Sequence, residues 1–122
     1  MKKRLCLNKN EILKKNNFFN HIFKKGYHYK GRYLNIITYS DTKRLIGFTV
    51  DKKQRNAVIR NRIRRMLREI YRTNKDKFPE EIIIIHAKHF ESFVRYIDLK
   101  NDILLLLNKI YESSEVYSGN TN

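Results

Sequence analysis

Cysteine, proline and acidic side chains are scarce in this chain of 122 residues, and each scarcity excludes something. The single cysteine, Cys6, rules out an intrachain disulfide and fits a reducing cytoplasm. The only proline, Pro79, falls in a connector spanning 73–81. The glycines form no Gly-rich phosphate loop. The longest apolar runs, Ile82–Ile85 and Ile103–Leu107, are far too short to span a membrane. The first residues, Met1–Leu7, are basic but carry no apolar stretch of signal-peptide length, so neither membrane nor export is expected. The twelve acids are scattered, with Glu80-Glu81 the only adjacent pair. A nuclease working through its own side chains needs clustered carboxylates or a positioned base, and neither is visible. No Ser/His/Asp arrangement suggests itself. His86 and His89 are spaced like half a metal site, with no cysteine or third histidine nearby to complete it. No catalytic residue, metal set or internal repeat is expected.

What the chain has in excess is positive charge. Twenty-seven Lys and Arg against twelve Asp and Glu leave a net charge of +15, beyond the needs of solubility and suited to a polyanion. The charge concentrates in Lys52–Arg72, which holds nine basic residues and one acid, Glu69. Asn56 is a candidate N-cap, and good helix formers follow from Ala57 without Gly or Pro before Asn74. At about 100° per residue, Ile59, Ile63, Met66, Leu67 and Ile70 share one stripe. Arg60, Asn61, Arg64, Arg65, Arg68 and Arg72 cover much of the remainder. A charge run is ordinarily a solvated helix face, but such faces interleave Glu with Lys. Here Gln54–Arg72 contains seven Arg and no Lys. Arginine's planar fork suits bidentate phosphate contact and stacking on bases. Lys52, Lys53 and Arg55 crowd the helix N-terminus, where the dipole disfavours cations and favours a bound phosphate.

The rest reads as one domain with a modest core. Residues 1–10 form a basic arm. Glu11–Lys25 has helical spacing, with Ile12, Phe19, Ile22 and Phe23 on one face, Phe18 beside it and Gly26 as the stop. By pattern alone such a stripe is core. Gly26–Gly31 reads as a short strand. Arg32–Ser40 is a clearer one, with Tyr33, Asn35, Ile37 and Tyr39 on one side and Leu34, Ile36 and Thr38 on the other. Asp41–Lys43 turns the chain into a third strand, Arg44–Asp51. Ile82–Ile85 reads as a central strand buried on both faces. Phe90–Arg95 suggests a helical turn, and a helix from about Ile97 to Glu112 places Leu104, Leu107 and Ile110/Tyr111 inward. Residues 113–122 are expected to be a disordered tail beyond a domain at 1–112.

The run Lys52-Lys53, Asn56-Ala57 and Val58–Glu69 (VIRNRIRRMLRE), following Gly47 and a strand, resembles the Arg-Asn-Arg signature of the protein component of bacterial ribonuclease P. The likeness extends in outline from Leu13 to Ile110. It implies an α/β (two-layer α+β) fold of αβββαβα order, with helices packed on a four-stranded sheet. That fold is like the second domain of the fifth protein of the small ribosomal subunit, with a left-handed βαβ crossover. The implied role is tRNA 5′-end maturation. The catalytic RNA subunit and its Mg2+ perform the hydrolysis, while the protein binds that RNA and the 5′ leader of precursor tRNA. No obligate protein partner is implied. On this resemblance Lys52, Lys53, Arg60, Asn61, Arg62, Arg64, Arg65 and Arg68 contact the RNA subunit. Phe19 and Phe23 line the leader cleft, whose second wall is the sheet face bearing Ile37 and Tyr39. The family often has an aromatic where Ile37 stands, a small hydroxyl residue at Asp51 and glycine at Arg55. Two alternatives remain: a ribosomal or other structural RNA-binding protein with no role in cleavage, and a helix-in-groove DNA regulator. The strand signals argue against the second.

Overall fold

The computed structural model describes residues 12–13, 17–54, 56–89 and 93–120, with side chains as far as Ser113. The expected basic arm with Cys6, the backbone at Arg55 and the first half of the expected turn at 90–95 lie outside the described residues. The elements are α1 (Asn17–Lys25), β1 (Tyr27–Lys30), β2 (Leu34–Tyr39), β3 (Leu45–Val50), α2 (Ala57–Thr73), β4 (Ile82–Ala87) and α3 (Tyr96–Asn120). This is the αβββαβα order expected. The four strands form one sheet in the order β1-β2-β4-β3, with β3 and β4 parallel and the other pairs antiparallel.

β4 is central because its isoleucine run can bury both faces; Ile82, Ile83, Ile84 and Ile85 are all at most 1% exposed. Alternation then separates two cores. Ile83 and Ile85 join Leu34, Ile36, Ile46 and Val50 beneath α2 and α3, which contribute Ile63, Leu67, Ile70, Leu99 and Ile103. Ile82 and Ile84 join Ile37 on the other face, under Phe19 and Ile22 of α1. The sheet therefore carries α2 and α3 as one layer and α1 as a partial third.

All three helices differ in part from the sequence reading. The first helix starts at Asn17 rather than Glu11. Ile12 instead makes a parallel bridge to Ile46, and the Leu13 N–H donates to the Ile46 carbonyl at 2.7 Å. β3 is an edge strand with backbone groups to satisfy, and this pairing meets part of that need. Within α2, Ile59 is 37% exposed and Tyr71 takes a place in the core. The last helix runs to Asn120, past the expected end at Glu112 and over most of the expected tail. No proline interrupts it, and its only glycine, Gly119, stands at the end. Tyr111 lies at the surface and donates to the Lys77 carbonyl at 2.8 Å.

One polar contact joins the two ends of the fold. Asp102 of α3, 7% exposed, accepts from the backbone N–H groups of Arg32, Tyr33 and Leu34 at 3.1, 2.8 and 3.2 Å. A Cβ on Gly31 would come within 2.7 Å of both carboxylate oxygens, so the β1–β2 turn needs glycine there.

Candidate nucleic-acid interface

α1 lies on the sheet with a cleft of about 390 Å³ beside it, lined by Phe19, Asn20, Phe23, Thr49, Val50, Asp51, Lys52 and His86. That is the size of pockets that hold small ligands. Phe19 and Phe23 are one turn apart and face the sheet, their centroids 6.3 Å apart. Phe19 is 4% exposed and seated against Gly47, where a Cβ would meet its ring at 3.1 Å. Phe23 is half-buried, and the rings of His28 and His86 meet it edge-on at 5.6 and 5.7 Å. Phe23 is the ring offered to the cleft; Phe19 is its floor.

The opposite wall lies on the expected face of the sheet but is made by other residues. Ile37 is fully buried beneath α1, in the small core with Phe19 and Ile22. Tyr39, also packed on that small core, lies away from the cleft, its hydroxyl 3.5 Å from His21 Nε2. Both belong to the leader-binding set expected from resemblance, and neither lines this cleft. Thr49 and His86 take their place, hydrogen-bonded to each other at 2.6 Å. They sit on neighbouring strands thirty-seven positions apart in the chain. Sequence reasoning missed them because pairing register between distant parallel strands leaves no local mark. Alternation from Ile84 does put His86 on this face, and that was the available signal.

Asp51 shapes the passage from cleft to basic helix. Its carboxylate accepts from Lys53 N–H at 2.9 Å and its carbonyl from Gln54 N–H at 3.0 Å. A hydroxyl can accept the first of these bonds, so the acid fits a position where the family uses one. Lys52 and Lys53 ride on this turn with exposed side chains. Asn56 then caps α2, its side-chain oxygen accepting from Val58 and Ile59 N–H at 2.9 and 3.2 Å. A phosphate at this helix end would find two amides already occupied and would rely on the lysines.

The arginines of α2 divide by position. Asn61, Arg65 and Arg68 are exposed on the outer face, with Arg64 half-buried beside them and donating to Asn61 Oδ1 at 3.2 Å. Arg60 turns inward to the Gln54 carbonyl at 2.8 Å and braces the loop. Arg62 turns toward α3, its guanidinium 4.6 Å from the Phe93 ring centroid. Glu69, the one acid of the helix, is bound to Arg72 at 2.6 Å, and that hydrogen bond holds its carboxyl below the usual range. No ion pair to Arg64, Arg65 or Arg68 occurs among the described residues. Their charge is available to a polyanion.

Comparison with known proteins gives a consistent answer. The family model described as Ribonuclease P matches residues 7–111. The chain is similar to the ribonuclease P protein component of Syntrophus aciditrophicus, 38% identical over 88% of this chain and 92% of the relative. That of Finegoldia magna is 37% identical over 84% and 93%. Among solved structures, the Staphylococcus aureus RNase P protein superposes with a TM-score of 0.73 at 28% identity, over 82% of this chain and 94% of that one. The Thermotoga maritima RNase P protein gives 0.69 at 25%, over 81% and 96%.

Proposed function

The chain belongs to the ribonuclease P protein family, whose role is in tRNA 5′-end processing, and from that premise we propose that it is a clamp with two RNA surfaces. Through Lys52, Lys53, Arg60, Asn61, Arg62, Arg64, Arg65 and Arg68 it binds the catalytic RNA subunit. Through the cleft it holds the unpaired 5′ leader of precursor tRNA. Of the cleft residues expected from resemblance, Phe23 keeps the role of stacking partner and Phe19 supports it.

The observation that carries this reading is continuity. Lys52 lines the aromatic cleft, and four residues later Asn56 caps the helix whose Arg64, Arg65 and Arg68 have no acidic partner among the described residues. A strand leaving the cleft therefore meets positive charge without a gap. Base stacking on Phe23 tolerates any base, which suits a leader of arbitrary sequence. Electrostatic contact with phosphates supplies affinity without sequence.

The hydrolysis belongs to the RNA subunit and its Mg2+ in this proposal. In support, Asp51 is the one carboxylate among the described residues that line the cleft, and it accepts from the Lys53 N–H, with His86 Nε2 3.9 Å from its other oxygen. A site for metal-assisted hydrolysis requires convergent ligands and a nucleophile. The test is incubation of the protein with precursor tRNA and Mg2+, without and then with the RNA subunit. Cleavage at the 5′ end is expected only when the RNA subunit is present. Specific cleavage by protein alone would refute the division of labour.

A further inference from the structure

Large apolar side chains left singly in solvent are ordinary, but four of them here stand on the two segments that Arg62 joins. Val58 (74% exposed) and Ile59 (37%) stand on the first turn of α2, and Phe93 (75%) and Ile97 (44%) on the approach to α3 and its first turn. Val58 and Ile59 precede Arg62 by four and three residues, so their side chains adjoin it on the helix surface. Arg62 lies over the Phe93 ring and also donates to the Val94 carbonyl at 3.4 Å, which fixes the guanidinium in place. The nearby acid, Asp98, is engaged by Arg95 at 3.3 Å. The result is an exposed aromatic ring backed by a planar cation, with aliphatic flanks, on the arginine helix.

This chemistry fits an unpaired nucleobase. A base offers a π-face to Phe93 and the guanidinium, while its phosphates fall within reach of the outer arginines. An apolar protein partner would match the four side chains but would have to cover the cations around them without acids of its own being specified. We propose that Phe93 and Arg62 form a stacking platform for an unpaired base of the RNA subunit. The proposal rests on the function argued above, where Arg62 is already an RNA contact, and adds Phe93, outside both the leader cleft and the outer arginine face.

The chain contains no tryptophan, so Phe93→Trp introduces a single indole at the platform, excitable apart from the eight tyrosines. Titration with the ribonuclease P RNA of the same organism should quench its emission at saturation. Phe93→Ala should weaken binding to that RNA by roughly 5- to 150-fold, the value of one stacked base, with the salt dependence and melting temperature unchanged. Arg62→Lys, which keeps the charge and loses the plane, should also weaken binding without altering the salt dependence. Phe93→Trp should bind like the unmodified protein. Equal affinity of Phe93→Ala and the unmodified protein would overturn the platform alone. Unquenched emission at saturating RNA would do the same, as would an effect of Phe93→Ala on self-association rather than RNA affinity. Failure of the unmodified protein to bind the RNA would overturn the broader function and this inference with it.

Discussion

Phe19 and Phe23 look alike in sequence, yet they separate on folding. The difference is set by what lies beneath each: Gly47 leaves a hollow that Phe19 fills, while Phe23 sits beside the Phe19 ring against the edges of two histidine rings and stays half-buried. Truncating Phe19 should therefore cost stability on the scale of a core phenylalanine, about 3–5 kcal/mol. Phe23→Ala should act on substrate instead. Precursor tRNA binding by the holoenzyme should weaken by roughly 5- to 150-fold, mature tRNA binding should hold, and the melting temperature should fall far less than for Phe19→Ala. Equal losses for precursor and mature tRNA would make Phe23 a core residue. Asp102 gives a second residue-level expectation. It accepts from three backbone N–H groups, so Asp102→Ala leaves donors without their partner at the β1–β2 turn. A loss of about 2–5 kcal/mol is expected in urea denaturation, and a variant as stable as the parent would show that water replaces the carboxylate. Nothing local in the sequence distinguishes Asp102 from a solvated helical acid, because its partners lie about seventy residues away.

Among the elements, α2 was the most legible from sequence and α1 the least. The Asn56 cap and the start at Ala57 follow from local chemistry alone, since cap and helix formers agree, and the helix ends at Thr73, one residue into the expected connector. The stripe was displaced by one flank: Tyr71 is buried and Ile59 is not, because α2 packs on the sheet and on α3 along its later turns. For α1, a helical spacing that included Ile12 competed with an edge strand needing a partner, and the edge won. The cleft-facing helix was thus identified correctly by Phe19, Ile22 and Phe23, and its first turn was not. The outer face of α2 carries its own test. Replacing Arg64 and Arg65 together by Ala should flatten the dependence of log K on log[salt] for the RNA subunit by about one to two units. An unchanged slope would mean that these arginines face solvent in the complex.

At the scale of the whole molecule, the sequence contained the element order and the central place of Ile82–Ile85, since both follow from periodicity and composition. It contained less of the cleft. Which side chains share its walls depends on the register of β3 against β4, and that register brings Thr49 and His86 together where Ile37 and Tyr39 were expected. The two proposed surfaces meet at the Asp51–Lys53 turn, so the proposal has one domain, rather than independent modules, hold leader and RNA subunit. A clamp of that kind should strengthen binding only where a leader exists to be clamped. The direct measurement is the affinity of the RNA subunit for tRNA, with and without the protein, as the 5′ leader is shortened to nothing. The protein should tighten binding of leader-bearing tRNA by at least the roughly 5-fold value of one stacked base, with the gain vanishing as the leader is removed. An equal gain for mature tRNA would contradict a leader clamp and leave the chain a general RNA-binding protein.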